Sequence, residues 1–233
     1  MAQTQAWENE YNSPQLVTKK AEPQSDALRF FKYLKKEAKI DLQGLHILDL
    51  GCGTGRNANY LAQLGNAVAG IDISKTAIAL AESRAGDMKI DSNVSYIVGD
   101  IGADYPFPDE HFDLILDITS SNSLNDKERN NYIKEVYRVL KKDGYLFVRG
   151  LRKDGDKNAK NLLKLHPGPE RDTYVIKELG LVERVFSEKD FREFYGQRFK
   201  IKKLLKKSGY AKFQSQNYKR NYWLAYLQKT DRV

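Results

Sequence analysis

The chain has 233 residues and a formal net charge of +8. Its single cysteine, Cys52, excludes an internal disulfide and favours a cytoplasmic protein. No apolar run approaches the roughly 18 residues that a membrane helix needs. No basic-then-apolar leader opens the chain, so we expect no membrane partner.

The positive charge is concentrated in the second part of the chain. Residues 151–233 contain 21 basic and 10 acidic residues, whereas residues 1–150 contain 18 and 21. Such an excess suits a nucleic acid or an anionic substrate as a partner. The excess is equally consistent with a structural role, in which lysines on an edge strand of the sheet prevent aggregation.

The first 24 residues are polar and contain Pro14 and Pro23, which predicts an irregular arm. Trp7 and Tyr11 would either anchor this arm or close over a bound cofactor. A helix over 26–38 follows, with Ser25 as its predicted N-cap and one apolar face.

Strand and helix patterns then alternate along the chain. The strands are predicted at 46–50, 67–71, 94–98, 112–118 and 145–148, and the helices at 56–64, 75–86 and 126–141. This alternation predicts an α/β fold with a Rossmann-like, doubly wound parallel sheet.

The end of the chain follows a different pattern. A short helix from 188 to about 195 precedes two strand-like runs, 199–205 and 221–227. Because only a loop separates the two runs, they should pair as an antiparallel hairpin. The complete sheet would then have seven strands, mostly parallel.

These patterns predict one domain over 1–233. Its parts would be an arm and helix that cap the site (1–40), a cofactor-binding core (41–150), an irregular insertion (151–186), and a helix and hairpin that complete the sheet (187–233).

The loop after the first strand reads Gly51-Cys52-Gly53-Thr54-Gly55 and follows Asp49. A dinucleotide fingerprint needs a third glycine where Arg56 stands, and Asp49 would repel a pyrophosphate. The same carboxylate would attract an ammonium group. A ligand with an amino-acid end, a nucleoside end and no phosphate therefore suits the loop.

Two later acidic residues support the nucleoside half. Asp72 ends the second strand, where its carboxylate can accept both ribose hydroxyls through bonds of roughly 1.5–3 kcal/mol each. Asp100 ends the third and could bind an exocyclic amine of the base. Ile73 and Ile101 would cover the base faces.

The successive segments ILDLGCGTGRNANYLA, VAGIDIS, VSYIVGDI, FDLILDITS and EVYRVLKKDGYLFVRG resemble the motifs of class I S-adenosylmethionine-dependent methyltransferases. The resemblance covers about residues 26–150. It implies S-adenosylmethionine as the cofactor, S-adenosylhomocysteine as the product, and no metal.

The resemblance also implies roles for individual residues. Asp49 would meet the methionine end of the cofactor, which Gly51, Gly53 and Gly55 would line with Asn57 beside them. Asp72 would take the ribose, and Asp100 and Ile101 the adenine. Asp117, at the end of the fourth strand, would face the methionine moiety and the substrate mouth.

The motifs narrow the range of possible methyl acceptors. The segment Asp117-Ile118-Thr119-Ser120 lacks the Pro-Pro of methyltransferases that act on base amines, and Cys52 lies in the cofactor loop, where a packing role is expected. The Arg56-Asn57 pair is similar to that of small-molecule methyltransferases. We therefore expect a small-molecule acceptor.

No residue identifies itself as a general base, so the catalytic residues are not predicted. His46 and His111 should lie at the edge of the sheet opposite the site. His166, Asp172 and Tyr174 belong to the insertion and could contact substrate. Arg149, at the end of the fifth strand, would either bind an anionic substrate or pair with a carboxylate.

Alternatives remain open at this point. The basic C-terminal region could instead serve an RNA or protein acceptor, although no appended nucleic-acid module is visible. A catalytically inactive partner subunit is a weaker alternative, and a nicotinamide dehydrogenase is disfavoured by Asp49 and Arg56. The protein could be a monomer or a homodimer.

Overall fold

The computed structural model describes residues 3–15, 21–213 and 216–230. The helices are α1 Thr4–Asn12, α2 Ser25–Tyr33, α3 Arg56–Gln63, α4 Lys75–Asp87, α5 Asp126–Val139, α6 Lys157–Leu165 and α7 Glu188–Gly196. The strands are β1 His46–Leu50, β2 Ala67–Asp72, β3 Val94–Val98, β4 Phe112–Ile118, β5 Leu140–Leu151, β6 Thr173–Ile176, β7 Leu181–Arg184, β8 Lys200–Phe213 and β9 Gln216–Gln228.

Seven strands form the main sheet in the order β3-β2-β1-β4-β5-β9-β8. Strands β1 to β5 pair in parallel, and β9 lies antiparallel between β5 and β8. The predicted mostly parallel sheet with a terminal hairpin is confirmed. Strand order reverses between β1 and β4, so the carboxyl ends of these two strands border the crevice where such sheets bind ligands.

Helices cover both faces of the sheet, which explains why its central strands are apolar. On one face, Phe30 of α2 stacks on Phe147 of β5 with ring centroids 4.9 Å apart. On the other, Tyr132, Ile133 and Val136 of α5 enter a core with strands β1, β4 and β5. Helix α5 begins with a capping box between Asn125 and Glu128.

The structure corrects two predicted details of the helices and confirms a third. Ser25 is not the N-cap of α2, because the side chain of Gln24 accepts from the amides of Asp26 and Ala27. The last turn of the predicted helix, Leu34–Ala38, is a π-helix. Ser74 caps α4 as predicted.

Two segments are more regular than predicted. The arm contains helix α1, and the insertion contains helix α6 and the antiparallel pair β6–β7. A buried network holds that pair, since Tyr174 and Arg220 of β9 both bond Glu183. Polar and apolar residues alternate only weakly in these two short strands, so the sequence did not predict them. The side-chain network that holds them together is visible only in the structure.

The terminal hairpin is longer than predicted. Strand β5 pairs with β9 only from Tyr222 to Gln228, whereas β8 and β9 stay paired as far as Phe213 and Gln216. None of the described helices is both long and apolar enough to cross a bilayer.

Candidate active site

The glycine loop follows β1 at the strand-order reversal. Gly51 has a φ of +65° and Gly53 a φ of +54°, which side-chain-bearing residues rarely adopt. A Cβ on Gly51 would collide with Ser120, and one on Gly53 would lie 2.6 Å from the Tyr11 hydroxyl. Glycine is therefore required because side chains from the β4 loop and from α1 pack directly on this backbone.

Asp72 joins the loop to the end of β2. Its Oδ2 accepts from the Gly53 amide at 2.8 Å and its Oδ1 from the Ser74 amide at 3.0 Å. Burial raises the pKa of Asp72 to about 6, which these hydrogen bonds partly oppose. A carboxylate offers about four acceptor positions. The acceptor capacity that remains fits the predicted ribose diol.

Asp49 lies beneath the loop and is 1% exposed. Its Oδ2 has no hydrogen-bond partner among the described residues. Burial raises the pKa of Asp49 to about 7, while the nearby positive charge of Arg56 opposes that rise. An unpartnered buried oxygen is costly. An ammonium group would satisfy it, so the residues present fit the amino-acid end of S-adenosylmethionine.

The predicted adenine side lies at the carboxyl ends of the neighbouring strands. Asp100 is half-buried and accepts from the Gly102 amide at 2.7 Å through Oδ1. Ile101 is buried and Ile73 is half-buried. Because β2 and β3 are adjacent and parallel, these residues reach the same edge as Asp72.

Two predicted site residues already have hydrogen-bond partners within the protein. Asn57 is buried and accepts from the Gln24 amide at 2.9 Å, so it fastens the segment before α2. Asp117 is fully buried. Its oxygens accept hydrogen bonds from the amides of Ser120 and Ser121 and from the Tyr132 hydroxyl.

The candidates in the insertion make some contacts within it, while His166 Nδ1 and Asp172 Oδ2 are buried without a hydrogen-bond partner among the described residues. The Nζ of Lys153 lies 2.5 Å from Asp172 Oδ1, and Tyr174 donates to Glu183 at 2.7 Å. His166 ends α6, and its carbonyl accepts from the Val175 amide. These contacts hold the insertion together.

The histidines and Arg149 lie as the sequence indicated. His46 and His111 pack together, with ring centroids 5.0 Å apart, at the amino ends of β1 and β4. Arg149, at the other edge, contacts Asp26 at 3.1 Å and lies 3.5 Å from the centroid of the Tyr222 ring. Of the two predicted roles, the structure shows the carboxylate pair.

Helix α1 was not expected, and it places further polar groups over the loop. Glu8 accepts from the hydroxyls of Ser74, at 2.7 Å, and Thr76, at 2.5 Å. Gln3 bonds both the amide of Val182 and the carbonyl of Ser123. The helix thus spans from α4 to β7. No helical periodicity in the arm signalled this, because its apolar face is narrow.

The described residues contain no group of three or more His, Cys, Asp or Glu side chains that could hold a metal ion. The cysteine, Cys52, is buried and free.

Comparison with known proteins agrees with this geometry. A family model described as a methyltransferase domain matches residues 47–144. An uncharacterized methyltransferase of Schizosaccharomyces pombe is 36% identical over 112 residues, which are 47% of this chain and 75% of the relative.

A fatty-acid O-methyltransferase of Mycolicibacterium smegmatis is 30% identical over 122 residues, which are 52% of this chain and 42% of that protein. Among solved structures, a S-adenosylmethionine-dependent methyltransferase of Methanosarcina mazei superposes with a TM-score of 0.69 at 26% identity. That match covers 81% of this chain and 93% of the other.

Proposed function

Because the chain belongs to the S-adenosylmethionine-dependent methyltransferases, we propose that it methylates a small molecule carrying an anionic group. The cofactor would bind across the carboxyl ends of β1, β2 and β3. The observation that carries this placement is the unpartnered Oδ2 of Asp49 beside a loop that only glycine can form.

Bound S-adenosylmethionine supplies a methyl group that is already activated on sulfur. The protein then has to hold the acceptor in line with that group and exclude water. Asp49 would hold the ammonium, Asp72 the ribose, and Asp100 with Ile73 and Ile101 the base. An acceptor that is already ionised needs no general base.

The proposed anionic acceptor is supported by the charges around Arg149. Asp26 is 4% exposed at its side chain and faces two cations, Arg149 at 3.1 Å and Lys207 at 3.9 Å. One carboxylate against two cations leaves a net charge of +1 at the carboxyl end of β5. An anion there would be favourably placed.

Two further observations favour a small molecule over RNA or protein. The lysines of β8 are partly neutralised, because Lys203 bonds Glu37 and Lys206 lies 3.9 Å from Glu188. A fatty-acid O-methyltransferase is among the relatives, although this chain spans less than half its length. The cytoplasmic location and the monomeric or homodimeric state stay predictions.

The test uses purified protein and S-adenosylmethionine labelled in its methyl group, incubated with carboxylic acids, a metabolite pool, RNA and protein. We expect label in a small acid, and a KM for that acceptor that rises roughly tenfold in Arg149→Gln with little change in S-adenosylhomocysteine affinity. Label found in acid-precipitable RNA or protein would refute the small-molecule assignment.

A further inference from the structure

One carboxylate oxygen and two side chains around Gly53 lack hydrogen-bond partners among the described residues. The Oδ2 of Asp49 has none, and neither the Arg56 guanidinium nor the Tyr11 hydroxyl makes a hydrogen bond or an ion pair within the described residues. Arg56 is half-buried, and burial and the neighbouring charge of Arg149 lower its pKa. Unpartnered groups of both signs so close together form a complementary site for a ligand.

The charges of these groups match an amino-acid end. An α-amino acid carries one ammonium and one carboxylate at neutral pH. Asp49 can accept only the ammonium, whereas a guanidinium and a phenolic hydroxyl both donate to a carboxylate. We propose that Arg56 and Tyr11 bind the carboxylate of the methionine end of S-adenosylmethionine, beside the ammonium held by Asp49. This inference rests on the proposed function.

Helix α1 carries Tyr11 to this position. Its hydroxyl lies over Gly53, and the charges of Arg56 and Asp72 both act on it. Glu8, one turn earlier, bonds the Ser74 hydroxyl, and the Ser74 amide bonds Asp72. The helix is therefore linked through Ser74 to the carboxylate proposed for the ribose. Glu8 is a positioning residue, which acts through Tyr11.

Calorimetric titration with S-adenosylhomocysteine and with its decarboxylated analogue tests the proposal. Arg56→Gln should weaken S-adenosylhomocysteine roughly 10- to 100-fold, the factor for one charge-assisted interaction, and leave the analogue unchanged. Tyr11→Phe should weaken it about 3- to 10-fold with the same selectivity. An equal loss for both ligands would mean that Arg56 only shapes the loop, and would overturn the inference.

Two controls match these variants. Arg192→Gln removes an exposed guanidinium on α7, and Gln5→Ala changes the exposed side of α1; both should bind like the wild type. Glu8→Ala should weaken S-adenosylhomocysteine in the wild-type background but not in Tyr11→Phe, because the two act as one unit. Glu8→Gln should restore part of the loss. Independent, additive losses would overturn the positioning role.

The two proposals fail in different ways. If the wild type binds neither ligand, the proposed function is wrong and this inference with it. If the wild type binds S-adenosylhomocysteine no more tightly than the decarboxylated analogue, only the inference is wrong, because no group then recognises the carboxylate.

Discussion

The glycine loop and the insertion differ in how many of their charged side chains form ion pairs within the protein. Around the glycine loop, Asp49, Arg56 and Tyr11 leave hydrogen-bonding capacity unused within the described structure. In the insertion, Asp172 is paired with Lys153, and Tyr174 donates to Glu183. Both regions are rich in charge, but charged side chains of the insertion form ion pairs, although Asp172 Oδ2 and His166 Nδ1 are also buried there without a hydrogen-bond partner in the described structure.

The difference separates binding groups from structural ones. A buried polar atom without a partner costs free energy, which a ligand can recover when it binds. A buried group that already has its partners gives a ligand little to gain. Substitutions near the loop should therefore change cofactor affinity, whereas substitutions in the insertion network should change stability.

The largest expected effect is on the loop side. Asp72→Ala should weaken S-adenosylhomocysteine roughly 1000-fold, about 4 kcal/mol, because it removes two charge-assisted bonds to the ribose and leaves the Gly53 amide unpaired. Calorimetry measures the loss. Asp41→Ala, an exposed carboxylate before β1, is the matched control. A loss below tenfold would contradict the ribose assignment.

In the insertion, we expect a substitution to lower stability rather than cofactor affinity. Glu183→Leu leaves Arg220 without its buried partner and should lower the free energy of unfolding by about 3 kcal/mol. Urea unfolding measures it, and Glu188→Gln, which breaks an exposed pair, should change it by less than about 0.5 kcal/mol. The affinity of the folded variant for S-adenosylhomocysteine should not change. A large loss of affinity would extend the binding region into the insertion.

The ionisation of Asp49 should make both stability and cofactor affinity depend on pH. Since the folded pKa is about 7 and the ordinary value 3.8, the folded state holds this proton more tightly. The contribution of Asp49 to stability is therefore complete below pH 3.8 and is lost as pH rises to about 7. Asp49→Asn should become more stable relative to the wild type over that range and gain nothing further above it.

The affinity for the cofactor should change with pH in the opposite direction to stability. Only ionised Asp49 attracts the ammonium, so wild-type affinity for S-adenosylhomocysteine should fall up to tenfold per pH unit below about 7. Calorimetry at several pH values, with unfolding curves alongside, checks both effects. A pH profile shared by Asp49→Asn would assign the titration to another group.

The smallest effect is expected on the outer strand. Lys202→Ala and Lys206→Ala lie at exposed positions of β8 and should each change stability by less than about 0.5 kcal/mol, with methyl transfer unchanged. Activity measured at low and high salt provides the check. A salt-dependent loss of activity would favour an RNA acceptor, because phosphate contacts are sensitive to salt.

Much of the fold could be predicted because it depends on local patterns. The apolar run of β4 and the alternation of strands with helices predicted the parallel sheet. The absence of a helix between β8 and β9 predicted the hairpin. Among the site residues, Asp49, Asp72 and Asp100 could be located because each lies at or just after the carboxyl end of a strand, and these ends must reach the same edge.

Other features depend on contacts between distant parts of the chain. Asn57 and Asp117 stand at positions that the pattern assigned to the cofactor, and only the structure shows that Gln24 and Tyr132 already donate hydrogen bonds to them. Conversely, Tyr11 is only a polar-arm residue until Glu8 fastens α1 to α4. Sequence by itself determined which chemical groups lie at the edge of the sheet, because strand order and direction follow from periodicity. Tertiary structure alone decided which of those groups are already satisfied, because a hydrogen-bond partner can come from any distance along the chain.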